Sequence, residues 1–181
     1  MKNDLSKILI TKEQIDEITT SLAKQIESDY RGSEKELVAV CILKGSLMFT
    51  ADLLRKINIP VSIEFMKVSS YGAGTVSSGN INIQLDICRH DYENIDILVI
   101  EDIIDSGKTL SRLVEHFKEV GAESVKTCTL LDKPDRREVD FTPDYVGTTI
   151  PDEFVVGYGL DYNEKYRNLP YIGVLDPKIY T

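Results

Sequence analysis

Apolar runs that alternate with amphipathic stretches indicate a chain of buried strands and surface helices. Residues 97–100 form a continuous apolar run, which is typical of a strand buried on both faces of a parallel sheet. Beyond it, apolar residues recur at helical spacing until Gly121, a common stop signal; they are Leu110, Leu113, Val114, Phe117 and Val120. The stretch therefore predicts a strand, a loop and a helix.

The same order of elements occurs earlier in the chain. Thr11 and Gln14 form a capping box at the start of a helix that we expect to end near residues 30–32. An apolar run at 37–43 ends at Lys44 and precedes a second helical stretch. Further strand patterns lie at 61–65, 81–85, 125–131, 145–150, 154–158 and 171–175.

The pattern changes between residues 61 and 79. Apolar Val61, Ile63 and Phe65 alternate with polar residues, so we expect this strand to bury the apolar face. Residues 69–79 are rich in Gly and Ser and too long for a tight hairpin, so we expect a mobile loop. The whole pattern predicts one domain, 1–181, of the α/β class, with a mostly parallel sheet flanked by helices.

Composition narrows the class of partner. The net charge is −9 and no basic cluster exceeds the pair Arg136-Arg137, which disfavours a nucleic-acid partner. Cys41, Cys88 and Cys128 form no C-x-x-C pair and are typical of a reducing compartment, with Cys41 and Cys128 inside apolar runs. No apolar run approaches the roughly 20 residues that span a bilayer, so we expect a cytoplasmic protein with no membrane partner.

Candidate chemistry follows the central strand. Ser106, Gly107, Lys108 and Thr109 open the predicted helix, where free backbone N–H groups, two hydroxyls and one positive charge suit a phosphate. This is not a Walker A loop, because Asp102 occupies the position of its first glycine. The turn predicts a phosphate site and disfavours an NTPase.

Three acids, Glu101, Asp102 and Asp105, lie beside that phosphate site. Bare carboxylates would repel a phosphate, and recognition of sugar hydroxyls together with Mg²⁺ resolves the conflict. The alternative is that these acids are solvated loop residues or helix caps.

Five segments resemble motifs of the purine phosphoribosyltransferases of hypoxanthine-guanine type. They are LKG at 43–45, SSYG at 69–72, ILVIEDIIDSGKTL at 97–110, LLDK at 130–133 and FVVGYGLDYNE at 154–164. The resemblance spans most of the chain and implies the type I fold, with a small hood from the C-terminal segment and parts of the N-terminus. It implies purine salvage, in which 5-phosphoribose passes from 5-phosphoribosyl 1-pyrophosphate to N9 of hypoxanthine or guanine.

The resemblance also implies a role for each motif residue. The phosphate is held by Asp105, Ser106, Gly107, Lys108 and Thr109, and Asp105 is also the catalytic acid/base. Glu101 and Asp102 hold the ribose hydroxyls and Mg²⁺. Pyrophosphate is bound by Lys44, Gly45, Ser70, Tyr71 and Arg167, with residues 69–79 as a lid and a cis peptide expected at Lys44-Gly45.

By the same resemblance, Lys133, Phe154, Val155 and Asp161 bind the base, and Asp161 also meets a second metal ion. Without the family resemblance, we would expect Lys133 to be a surface lysine and Phe154 to be a core residue. Two alternatives remain: a phosphoribosyltransferase for xanthine or a pyrimidine, and a relative of this fold that regulates by binding RNA. Members of the family form dimers and tetramers, so a homo-oligomer is expected.

Overall fold

A computed structural model describes residues 1–70 and 81–180. The helices are α1 (Lys12–Tyr30), α2 (Leu47–Leu54) and α3 (Lys108–Glu119). The strands are β1 (Leu5–Ile10), β2 (Glu36–Leu43), β3 (Ser62–Ser70), β4 (Ile81–Leu85), β5 (Ile95–Ile104), β6 (Ser124–Asp132), β7 (Tyr145–Thr149), β8 (Val155–Val156) and β9 (Ile172–Leu175). The lid predicted at 69–79 lies, from residue 71 onward, outside the described residues.

The larger sheet has six strands in the order β4-β3-β2-β5-β6-β7. Its pairs are parallel except for β3 with β4, which confirms the mostly parallel sheet. Because parallel strands end at the same edge, the residues that follow β2, β5 and β6 are neighbours in space.

Central strand β5 is buried on both faces, as its unbroken apolar run predicted. Leu98 and Ile100 pack into a core that includes residues of α1 and α2. Ile97 and Val99 point the other way, into a second core that includes Phe117 of α3. Alternate residues of β5 thus pack against helices on opposite faces of the sheet. Cys41 and Cys128 are buried in the neighbouring strands, as expected.

The expectation for the strand at 61–65 was wrong. Ile63 and Phe65 are 51% and 43% exposed, whereas Met66 on the opposite face is fully buried. Alternation correctly indicated an apolar face, but within this chain that face borders an open groove of about 430 Å³ beside α2. The core is filled from the other side of the strand.

A smaller sheet forms the predicted hood. Its order is β1-β9-β8, so a strand that precedes the large sheet pairs with strands that follow it. The Asp176 N–H donates to the Asp4 carbonyl over 2.8 Å at the rim of this sheet. Among the described residues, no helix is long and apolar enough to cross a membrane.

Candidate active site

The phosphate segment forms a cavity where β5 turns into α3. The cavity measures about 310 Å³ and is lined by Glu101 and residues 103–110. Gly107 is the residue that precedes α3, and the Lys108 N–H lies 3.4 Å from Oγ of Ser106. The predicted phosphate residues therefore surround one pocket at a helix N-terminus, where backbone N–H groups favour an anion.

Two charged neighbours hold this turn in place. Arg137 Nη1 donates to the Asp105 carbonyl over 2.7 Å, and the Glu138 N–H donates to the Ser106 carbonyl over 3.0 Å. Lys108 pairs with the Glu138 carboxylate. Residues 135–144 form a mostly polar run, which carries no periodic signal from which these contacts could be predicted.

Glu101 and Asp102 lie in the last residues of β5 rather than in the following loop. The Asp102 N–H donates to Oε1 of Glu101 over 3.1 Å, and the Ile103 N–H donates to Oδ1 of Asp102 over 2.7 Å. Burial, and then the neighbouring Asp102 charge, raise the pKa of Glu101 well above its usual value. Burial also raises the pKa of Asp102. A bound cation would therefore stabilise the charged forms of both carboxylates.

Gly45 makes a very close approach to this pair. A Cβ at position 45 would lie 1.6 Å from Oδ2 of Asp102, and a Cβ at Gly159 would lie 1.9 Å from the Gly45 carbonyl oxygen. Gly159 therefore requires glycine, because its φ is +102° and a Cβ would meet backbone, whereas a Cβ at Gly45 would displace the Asp102 carboxylate. The contacts stack the turn after β2 between the acidic pair and the segment that carries Asp161.

The cis peptide expected at Lys44-Gly45 is one bond earlier. It joins Leu43, the last residue of β2, to Lys44.

Lys133 and Asp105 meet between the phosphate pocket and the hood. Lys133 is 6% exposed, and its Nζ lies 3.8 Å from Oδ1 of Asp105 and 3.9 Å from Oδ1 of Asp152. The position of Lys133 is fixed by its own N–H, which donates to the Ile104 carbonyl over 3.0 Å. Lys133 is therefore a buried lysine beside two carboxylates and not the surface lysine that its sequence context alone would suggest.

Lys44 and Arg167, the predicted pyrophosphate cations, share one carboxylate. Lys44 Nζ lies 2.9 Å from Oε2 of Glu164, and Arg167 Nη2 lies 3.4 Å from Oε1 of Glu164. Arg167 also pairs with Oδ1 of Asp161 over 2.8 Å and donates to the Gly159 carbonyl over 2.7 Å. Sequence reasoning missed Glu164, although it ends the quoted motif.

Phe154 and Val155, two of the residues predicted to bind the base, lie at the start of hood strand β8. Phe154 is 39% exposed, and Val155 is buried in β8 opposite Val174. Ser70 ends β3, and its backbone is paired with Ile81. Tyr71 lies outside the described residues.

A metal ion would need ligands beyond the protein. Within 1–70 and 81–180, no three His, Cys, Asp or Glu side chains form a group that could hold one. Mg²⁺ commonly takes one or two carboxylates with substrate oxygens and water, and Glu101 and Asp102 fit that role. Both oxygens of Asp161 already have partners: Oδ2 accepts from the Glu164 N–H over 2.9 Å, and Oδ1 pairs with Arg167 over 2.8 Å.

The parallel sheet, its phosphate turn and the adjoining acidic pair are those of a phosphoribosyltransferase. Residues 6–163 match the model of the phosphoribosyl transferase domain, and the chain belongs to this family.

The relatives specify the branch of the family. The chain is 51% identical, over all 181 residues and 99% of the relative, to a hypoxanthine-guanine phosphoribosyltransferase of Staphylococcus aureus. A crystal structure of a hypoxanthine phosphoribosyltransferase from that organism matches 100% of this chain and 97% of its own with TM-score 0.93 and 50% identity. A Trypanosoma cruzi hypoxanthine phosphoribosyltransferase mutant in a ternary substrates complex gives TM-score 0.92 and 44% identity over 99% of this chain and 100% of its own. The chain thus groups with the hypoxanthine-guanine enzymes.

Proposed function

We propose that the protein transfers 5-phosphoribose from 5-phosphoribosyl 1-pyrophosphate to N9 of hypoxanthine or guanine. The products are IMP or GMP and pyrophosphate. The observation that carries this proposal is the position of Asp105. Its backbone belongs to the phosphate turn, and its side chain lies 3.8 Å from Lys133, so one residue connects the phosphate site with the base site.

The phosphate turn would hold the 5′-phosphate through Ser106, Gly107, Lys108 and Thr109, together with Asp105. Glu101 and Asp102 would accept the ribose 2′- and 3′-hydroxyls. Lys44, Gly45, Ser70, Tyr71 and Arg167 would bind pyrophosphate. The phosphate and ribose sets belong to β5 and the turn after it, and Lys44 and Gly45 follow the adjacent parallel strand β2, so these groups are neighbours at one edge of the sheet.

Mg²⁺ is the cofactor that this chemistry implies. Glu101 and Asp102 would hold one ion against the ribose, and Asp161 would contribute to a second ion near the pyrophosphate. When bound, Mg²⁺ offsets the negative charge that grows on the leaving pyrophosphate. The adjacent Glu101 and Asp102 carboxylates are partly buried and the pKa of Glu101 is raised, which supports the first assignment because a cation would stabilise both charges.

In the transfer step, N9 of the purine forms a bond to C1′ while the bond from C1′ to the pyrophosphate oxygen breaks with both electrons. Asp105 would take the proton that the purine ring releases, a role worth roughly 10² to 10⁴ in rate. Lys133 would donate to the 6-oxo group, and it has no acceptor for the 6-amino group of adenine. Phe154 would stack on the base, and the main chain of Val155 would bond its edge.

The base panel is the direct test. Product formation is measured from 5-phosphoribosyl 1-pyrophosphate with hypoxanthine, guanine, xanthine, adenine and orotate, each with and without Mg²⁺. We expect conversion of hypoxanthine and guanine only with the metal, and refusal of adenine and orotate. Conversion of orotate, or of no base, would contradict the proposal.

We also propose a homo-oligomer that pairs through the α2/β3 surface, defined by Leu47, Leu54, Ile63 and Phe65. This groove is apolar, and three of these four side chains are more than 40% exposed. In light scattering after gel filtration, F65K should shift the wild-type dimer or tetramer toward monomer. V120K, at another exposed apolar residue, is the matched control, and a monomeric wild type would refute this assembly.

The compartment that we propose is the cytoplasm. Cys41, Cys88 and Cys128 are all free thiols, which is typical of reducing compartments. Localisation of a tagged full chain would test this assignment.

A further inference from the structure

Three aromatic rings cluster in the hood around the residue assigned to base stacking. Tyr180 stacks on Phe154 with a ring-centroid distance of 5.0 Å and an interplanar angle of 28°. Tyr162 meets Phe154 edge-on, at 5.7 Å and 87°, and lies 6.2 Å from Tyr180. Sequence reasoning assigned no role to Tyr162 or Tyr180.

The two stacked residues flank the same pair of strands: Phe154 precedes β8, and Tyr180 follows β9. The Leu175 N–H donates to the Phe154 carbonyl over 2.9 Å, which joins the start of β8 to the end of β9. Beyond β9, Oδ1 of Asp176 accepts from the Lys178 N–H over 3.0 Å, and the Tyr180 N–H donates to the Pro177 carbonyl over 3.1 Å. A capped turn therefore holds the Tyr180 backbone at a fixed distance from Phe154.

Tyr180 lies over one of the two faces of the Phe154 ring. Tyr162 is nearly perpendicular to Phe154, and Phe154 is still 39% exposed, so the ring keeps open surface against which a flat ligand can pack. A ring that is already oriented loses less freedom when a ligand stacks on it.

We propose that Tyr180 is a positioning residue for base binding. It orients Phe154 by stacking on the face opposite the purine, and this inference rests on the proposed function. None of the described residues assigned to 5-phosphoribosyl 1-pyrophosphate makes a ring contact with Tyr180, so we expect its binding not to depend on Tyr180.

The test compares wild type with Y180L, Y180F and I179A in steady-state kinetics, with each substrate varied in turn. Ile179 lies in the same turn and is 39% exposed, as Tyr180 is 38% exposed, so I179A is a matched control. For Y180L we expect the KM for hypoxanthine to rise between about two- and tenfold, as expected for loss of an aromatic pair. The KM for 5-phosphoribosyl 1-pyrophosphate should stay unchanged, and Y180F and I179A should behave like wild type.

An unchanged or lower KM for hypoxanthine in Y180L would overturn the inference, and a lower value would mean that Tyr180 covers the purine face. Equal increases in both KM values, or a Y180F as impaired as Y180L, would also overturn it. Y180M provides the same comparison if Y180L does not fold. A wild type that converts no base refutes the proposed function and this inference together, whereas an active wild type with an unaffected Y180L refutes the inference alone.

Discussion

Nζ of Lys133 lies 3.8 Å from Oδ1 of Asp105, and that oxygen is buried with no hydrogen-bond partner among the described residues. The two groups are close enough to attract each other but are not hydrogen-bonded. A purine that accepts from Lys133 and gives a proton to Asp105 would satisfy both. The arrangement leads to separate predictions for the two side chains.

K133M should raise the KM for hypoxanthine between about tenfold and 150-fold. Methionine keeps most of the buried volume but removes the donor to the 6-oxo group, and a hydrogen bond to a charged group contributes about 1.5–3 kcal/mol. The discrimination against adenine should fall as well. K118M, on the exposed face of α3, is the control, and an unchanged base preference in K133M would remove Lys133 from base recognition.

D105N should lower kcat by roughly 10² to 10⁴ while the melting temperature stays near that of wild type. Asparagine retains the shape of the side chain but cannot take a proton from the purine. Single-turnover assays at saturating substrates would measure the effect. A kcat within twofold of wild type would show that another group moves the proton.

G45A should lower kcat/KM for 5-phosphoribosyl 1-pyrophosphate by about 10²-fold or more. The added Cβ would lie 1.6 Å from Oδ2 of Asp102, so the carboxylate that we assign to ribose and Mg²⁺ has to move. A displacement near 1 Å in a catalytic site can cost about that factor. Full activity in G45A would show that Asp102 can leave its position without consequence.

E164Q should lower the KM for 5-phosphoribosyl 1-pyrophosphate and strengthen inhibition by pyrophosphate, each by about two- to fivefold. Glu164 pairs with Lys44 and Arg167, so the incoming pyrophosphate must compete with its carboxylate. Glu164 is exposed, and ion pairs of exposed groups contribute little because water screens them, which sets the small size of the effect. E115Q, which breaks an exposed pair on α3, is the control, and weaker binding in E164Q would mean that Glu164 orients the two cations.

E101Q should stabilise the metal-free protein in a pH-dependent way. The folded-state pKa of Glu101 is raised, so its stabilising contribution is complete below the usual value of 4.5 and is lost as the pH rises through the folded pKa. The melting temperature of E101Q should therefore match wild type near pH 4 and exceed it at higher pH by about 2–4 °C, or ~1 kcal/mol. E119Q, on the surface of α3, is the control, and a constant difference at all pH values would contradict this reasoning.

The sequence was most informative where local pattern and topology agree. The unbroken apolar run of β5 predicted burial on both faces, and the parallel sheet then placed Lys44, Asp105 and Lys133 at one edge. The positions of the motif residues could be predicted for the same reason. These residues follow parallel strands, and the connections between the strands restrict the strand order. The roles that we assign to these residues from the family remain predictions, which the experiments above would test.

Contacts between distant segments could not be read from the sequence. The approach of Gly45 to Asp102 depends on the register of β2 against β5, and the strand character of β1 depends on its pairing with β9. Ile63 and Phe65 show a third limit, since alternation marks an apolar face without showing what covers it. Glu164 and Tyr180 lie in turns, where no periodicity reports on contacts.

The small sheet also has a consequence for synthesis on the ribosome. Every strand of the large sheet precedes β8 and β9 in the chain, so the phosphate turn and the acidic pair can form before the hood strands have been made. A nascent chain at that stage would carry β1 without its partner β9 and would lack Phe154 and Tyr180. Such an incomplete chain would hold the phosphate turn, the acidic pair and Lys133, whereas the ring assigned to base stacking and the Arg167 assigned to pyrophosphate are added last.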